Sequence, residues 1–310
     1  MMTENVAREN TAKTSRSISA KQRKKILFLT LLLAFPTVQF LVFYIGVNVN
    51  SVVLSFQEYK PSQGIFVGAG LKNYVQVFED IFVNGELRTA VINSAIQFAI
   101  NLCVTMPLNV FVAYLVWRKL PFGGFFKVVL FLPSMVSGVV FVTIARYILT
   151  GIFPIEWLLL DMPSGNGFKT VMIYDIWYGL AGGMVVYLGA MSGISDEVLE
   201  YGELEGLGTV KEFFYIVIPG IFPTITTYVV ASFAGFFTNY GSLFTFFGSN
   251  TSEQAIRTLG YYFFVGVTDV VKSSADYPYA SAGGLFFTAI VAPVTLIVKR
   301  LLEKYGPSEE

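Results

Sequence analysis

Histidine is absent from this 310-residue chain, and cysteine occurs once, at Cys103. The first absence removes imidazole metal ligands, histidine general bases and every Ser-His or Cys-His nucleophile pair. The second removes internal disulfides and thiolate clusters, and Cys103 sits in an apolar run where plain packing is expected. Charge is scarce too. Asp, Glu, Lys and Arg make up 14% of the residues, against about 25% in an average soluble domain. Acids and bases number 21 each, so no basic excess is available to neutralise a nucleic-acid backbone. What is abundant is apolar: 54% of residues are hydrophobic and 16% aromatic. The composition is that of an integral membrane protein, and not of an enzyme of the familiar kinds.

A bilayer core needs about 20 apolar residues per helix. Six stretches qualify: Ile26–Val49, Thr89–Val116, Val128–Leu149, Thr170–Gly193, Pro223–Gly248 and Tyr277–Val298. Among the charged residues, only Arg146 and Asp175 fall within them. The runs are continuous, whereas barrel strands alternate over about ten residues, so the expected fold is all-α and polytopic. The first run is longer than a signal-peptide core of about 7–15 residues and lacks a small-residue cleavage signal, which argues against a cleaved signal peptide.

Six spans put both termini on one side of the membrane. The tail to Lys25, the loops after spans 2 and 4 and the C-terminal segment hold 14 Lys and Arg, against six in the opposite loops. The positive-inside rule places both termini in the cytoplasm. Residues 1–25 are expected to be a disordered basic tail in which Lys21, Arg23, Lys24 and Lys25 anchor to anionic lipid. The single membrane domain then runs from 26 to 304, followed by a short cytoplasmic tail, 305–310.

The loop between spans 4 and 5 is neither short nor basic. From Ile194 to Thr224 it carries six acids and one lysine. Ser195 or Asp196 is placed to cap a helix whose first turn holds Asp196 and Glu197. Gly206 and Gly208 interrupt that helix, and an amphipathic run from Thr209 to Ile218 leads to Pro219 and Pro223. The segment reads as a helix–turn–helix on the cytoplasmic face, too acidic to seek anionic lipid and suited to docking a protein.

Glu200, Gly206 six residues on, then Phe213, Ile216, Ile218, Pro219 and Pro223-Thr224 give this loop a resemblance to the "EAA" loop of ATP-binding-cassette importer permeases. The family's paired alanines are Tyr201 and Gly202 here, its aspartate before the glycine is Glu205, and its following small residue is Leu207. Gly70-Leu71-Lys72-Asn73-Tyr74, Phe131-Leu132-Pro133 and Tyr279–Ala282 resemble the sugar-transporting, maltose-type branch, so the likeness covers about Ile26 to Lys304. It implies that residues 194–223 couple the permease to a separate ATPase, with Glu200 as contact, Gly206 as pivot, and Tyr201, Gly202, Glu205 and Pro219 completing the element. It also implies a second homologous permease subunit, two ATPase domains using ATP and Mg, and an extracytoplasmic solute-binding protein.

This chain is expected to bind no cofactor itself. The nearest approach to a phosphate cradle, Ser164-Gly165-Asn166-Gly167-Phe168-Lys169-Thr170, has Phe168 between glycine and lysine and reads as a turn before span 4. For the solute, Asp175, Tyr178 and Gly179 share one helical face with Gly182, and Ser232, Gly235, Phe236 and Asn239 repeat that spacing in span 5, beside Tyr240. Carboxylate and amide groups hydrogen-bond hydroxyls, aromatic faces stack on a sugar ring, and glycines leave room: the set suits a carbohydrate. Asn93, Gln97, Asn101, Thr105 and Asn109 recur every four residues in span 2, drifting about 40° per step, and are expected to serve helix–helix hydrogen bonding. The rival readings are an ion-coupled secondary transporter, for which Asp175 is the lone candidate acid, and a membrane enzyme, which the missing histidine disfavours.

Overall fold

The computed structural model describes residues 20–85, 87–119, 124–125, 128–129, 135–152, 166–249, 253–268 and 276–307. The chain divides into two compact units, Met1–Val53 and Leu54–Glu310. In the first, helix α1 (Ala20–Gln39) passes through a π-helical stretch, Phe40–Gly46, into α2 (Val47–Ser55). Residues 21–50 are exposed throughout, as expected of a helix whose apolar side chains meet lipid or another subunit. Lys21 and Arg23–Lys25 belong to this helix rather than to a tail; residues 1–19 lie outside the described residues.

The second unit opens with an element absent from the all-α expectation. Strands β1 (Gln57–Lys60) and β2 (Ile65–Gly68) pair antiparallel, with Gln57 opposite Gly68 and Lys60 opposite Ile65. Helix α3 (Lys72–Phe82) follows. The Asn73 amide donates to the carbonyls of Ser55 (2.9 Å) and Gln57 (2.7 Å), and the Tyr74 and Ser55 hydroxyls meet at 2.8 Å. The Leu71–Tyr74 string therefore has a structural role, holding the entrance to the hairpin.

Span 2 forms as α4 (Arg88–Ile100), a π-helical turn at Asn101–Thr105, and α5 (Met106–Trp117). Of span 3, α6 (Gly138–Tyr147) and a π turn at Ile148–Ile152 are seen, while Phe131-Leu132-Pro133 lies outside the described residues. Span 4 is α7 (Asn166–Met191). It begins earlier than expected, so Asn166–Thr170 are helical and not a turn; Ser164 and Gly165 lie outside the described residues.

The elbow comprises α8 (Asp196–Leu204), α9 (Thr209–Glu212), a π turn at Phe213–Val217 and α10 (Ile218–Gly220). Span 5 is not one helix. After a 68° bend at Ile221, α11 (Phe222–Ala234) stops in mid-run. A turn from Gly235 intervenes before α12 (Leu243–Phe247), and within it the Asn239 side chain accepts the Gly241 N–H (2.9 Å), a local bond that competes with helix. A short 3₁₀ turn, Gln254–Ile256, and an unforeseen apolar helix α13 (Leu259–Thr268) precede α14 (Asp276–Tyr305), which carries span 6 on through Lys299, Arg300 and Lys304.

Among the described residues, four helical stretches are long and apolar enough to cross a membrane: Lys21–Ser55, Arg88–Trp117, Asn166–Met191 and Asp276–Tyr305. The bent pair around Ile221 makes a fifth if counted as one span. The six-span expectation is therefore met only in part.

Within Leu54–Glu310 the core is in three parts. One joins α6, α7, α12 and α13 around Phe246 and Tyr261. A second joins α3, α4, α13 and α14 around Val77, Leu259 and Phe287. The third, with Val110, Tyr114, Met184, Tyr187, Val217 and Ile221, clamps the elbow to α5 and α7.

Candidate functional site

Helices α4–α5, α7 and α11 enclose a cavity of about 680 Å³. Asp175, Tyr178, Gly179, Ser232, Phe236 and Asn239 all line it, as do Gly182 and Gly235. Tyr240 does not: its ring stacks on Phe264 (4.7 Å) in the first core cluster, because the helix ends at Ala234 and the next residues turn away. Asn239 reaches the cavity from that turn, not from the helical face assigned to it.

The span 2 stripe divides. Asn93 does serve packing, donating to the carbonyls of Ala255 (3.0 Å) and Arg257 (2.7 Å). Gln97, Asn101, Thr105 and Asn109, however, face the cavity. Steps of four overrun an α-helical turn by about 40°. The π turn at Asn101–Thr105 takes one more residue per hydrogen-bonded loop, which rotates each residue less and cancels the drift. The four-residue spacing is the signal of that turn, and the geometry of a plain α-helix misplaces it.

Asp175 is the one charged residue among those lining the cavity. Its Oδ2 accepts the Ser242 N–H at 3.3 Å. Two lining atoms, Asn109 Oδ1 and the Tyr187 hydroxyl, are buried without a hydrogen-bond partner. Buried polar groups are normally satisfied, and these two are exceptions. Tyr178 lies stacked with Tyr174 (5.7 Å between ring centres), and Phe236 meets Phe98 edge-on (5.7 Å). At Gly183 the helices touch: a β-carbon there would collide with the Asn109 amide, whereas Gly182 faces open space.

At the elbow, Ser195 has the extended backbone of an N-cap but makes no side-chain cap bond. Helix α8 turns Leu199 and Gly202 inward and leaves Glu200, Tyr201 (70% exposed), Leu204 (83% exposed) and Glu205 outside. Gly202 permits close approach, since a β-carbon would lie 2.6 Å from Ile216 Cδ1. Gly206 has φ +74°. Its N–H donates to Glu203 O (3.0 Å), and that of Leu207 donates to Gly202 O (2.9 Å). These paired bonds form a Schellman cap at the residue read as the pivot. Pro219 sits half-buried at the start of α10.

The elbow is also tied to α5. Arg118, capping that helix, pairs with Glu203 (3.1 Å) and with Glu212, while Tyr114 donates to Thr209 O (2.9 Å) and Glu212 Oε1 (3.1 Å). The hydrogen bond with Glu212 raises the guanidinium above its ordinary pKa, against the opposing effect of burial. Sequence reasoning passes over both residues, since nothing in span 2 points to a partner some ninety positions on.

The profile of a family described as "Binding-protein-dependent transport system inner membrane component" matches residues 86–308. The chain belongs to that family. The chain is similar to the polygalacturonan/rhamnogalacturonan transport system permease protein YteP of Bacillus subtilis, 22% identical over 93% of this chain and 94% of that protein. The arabinooligosaccharides transport system permease protein AraP of Halalkalibacterium halodurans is 23% identical over 94% and 92%. The maltose/maltodextrin permease protein MalF of Salmonella typhimurium is 25% identical over 82% of this chain, which spans half of that longer protein. A crystal structure of a bacterial ABC transporter involved in alginate import shares the fold, with a TM-score of 0.73 at 18% identity, covering 92% of this chain and 98% of that one. Family membership makes the chain an inner-membrane transport component, in keeping with a subunit that is not itself an enzyme.

Proposed function

We propose that the chain is the membrane-spanning subunit of an ATP-driven, binding-protein-dependent importer whose cargo is a neutral sugar or oligosaccharide. The cavity carries this reading: carboxamides, hydroxyls and aromatic faces surround it, and no Lys or Arg is among the described residues that line it. Hydroxyl-rich solutes need such donors and acceptors, whereas a sugar phosphate brings charge that an Asp-bearing cavity repels. The names of YteP, AraP and MalF support carbohydrate as the class. Asp175, Tyr178, Ser232, Phe236 and Asn239 contact the solute, joined by Gln97, Asn101 and Asn109.

Glu200, Tyr201, Gly202, Glu205, Gly206 and Pro219 belong to the element that docks a separate ATPase subunit, which holds ATP and Mg. The subunit works with a second permease chain and an extracytoplasmic binding protein. It crosses the bacterial cytoplasmic membrane six times, with both termini inside. Alternating access follows if the elbow binds closed and open ATPases with different affinity, since only differential binding shifts an equilibrium.

The test is reconstitution in proteoliposomes with the cognate ATPase, second permease and binding protein. Saccharide uptake should require ATP, and Asn239→Ala or Asn109→Ala should raise the half-saturating saccharide concentration about 3- to 10-fold, the effect of one hydrogen bond. Uptake driven by an ion gradient without ATP refutes the proposal.

A further inference from the structure

We propose that Arg118 is the strut that makes the elbow and the cavity-lining helix move as one body. The inference rests on reading the elbow as the ATPase-docking element. Both elbow helices converge on this one guanidinium: Glu203 comes from α8 and Glu212 from α9. Glu212 is 3% exposed, and its second oxygen takes the Tyr114 hydroxyl, one helical turn before Arg118. A carboxylate this deeply buried is tolerated only when paired and hydrogen-bonded, so its two oxygens and the two α5 donors form a closed set.

Apolar packing of Val217 and Ile221 on Val110 and Met184 also holds the elbow, but such contact is non-directional and permits sliding. Hydrogen-bonded charges fix register. Upstream on the same rod stand Asn109, Thr105, Asn101 and Gln97, all lining the cavity. A displacement of α8 thus reaches the cavity along one helix, through one side chain at its end.

The reconstituted complex provides the test, with the ratio of saccharide transported to ATP hydrolysed as the readout. Glu203→Gln leaves a mostly exposed site and should assemble normally, yet lower that ratio about two- to fivefold, the scale of a partly exposed ion pair. Arg118→Gln should lower it about tenfold or more, with ATP hydrolysis continuing and losing its dependence on binding protein and saccharide. Arg118→Lys, which keeps the charge but cannot fork between two carboxylates, should fall between. A ratio that stays at the wild-type value in Glu203→Gln and Arg118→Lys overturns the strut, as does a parallel loss of transport and hydrolysis with the ratio intact. Those outcomes leave the carbohydrate reading standing; a wild-type complex that carries no saccharide would sink that reading separately.

Discussion

Substitution of Gly206 separates backbone geometry from space at the elbow corner. The residue has φ +74°, and a β-carbon built on it meets nothing within 4 Å. Alanine therefore fits sterically but is forced into the left-handed region, which costs an L-residue about 1–2 kcal/mol. Asparagine, which visits that region readily, should lose much less. The strain appears as easier opening of the cap, by a factor of about 5–30 for 1–2 kcal/mol. Hydrogen exchange of the Leu207 amide reads this opening directly, because its N–H lies 2.9 Å from the Gly202 carbonyl in the second cap bond. Protection in the assembled transporter should fall in the order Gly, Asn, Ala. If alanine matches glycine, the corner is not held in the left-handed conformation. If asparagine is as damaging as alanine, added bulk and not φ is responsible, and the reasoning fails.

Two further substitutions probe the frame around the cavity. In Gly260→Ala the new methyl would sit 2.6 Å from the carbonyl oxygens of Thr238 and Asn239; backbone cannot swing aside, so a loss of about 1–3 kcal/mol or more is expected as a lowered thermal unfolding midpoint in detergent. Tyr279→Phe removes a 2.6 Å hydrogen bond to Asp80 Oδ2, leaves Asn84 on Oδ1, and should reduce stability by about 1–3 kcal/mol in the same assay.

How much of this was legible in the sequence depended on how local the signal was. The elbow was readable because its acid, glycine and proline spacing is set within thirty residues. The cavity residues of span 4 were readable because α7 is one uninterrupted helix, for which a period of 3.6 holds. Span 5 misled at the turn that holds Asn239, since an apolar run of adequate length says nothing about an internal side-chain bond. The hairpin escaped because its strands have four residues each, too few for alternation to stand out, and the Pro61–Gly64 connection looks like any polar loop. The Arg118–Glu212 pair was invisible for a different reason: it is a contact between distant positions, created by packing.

The π turn in span 2 sets an angular phase between the two halves of one rod. Gln97 lies on one side of it, and Asn109, Tyr114 and Arg118 on the other. Deleting a single residue between 101 and 105 would let the stretch close as plain α-helix with its lower half in the same phase; keeping every residue but winding the stretch as α-helix would swing that half by about 100°, taking Asn109 off the cavity wall and Arg118 off Glu212 together. For that stretch, the pairing of residue count with hydrogen-bonded loop size sets which face meets the cavity.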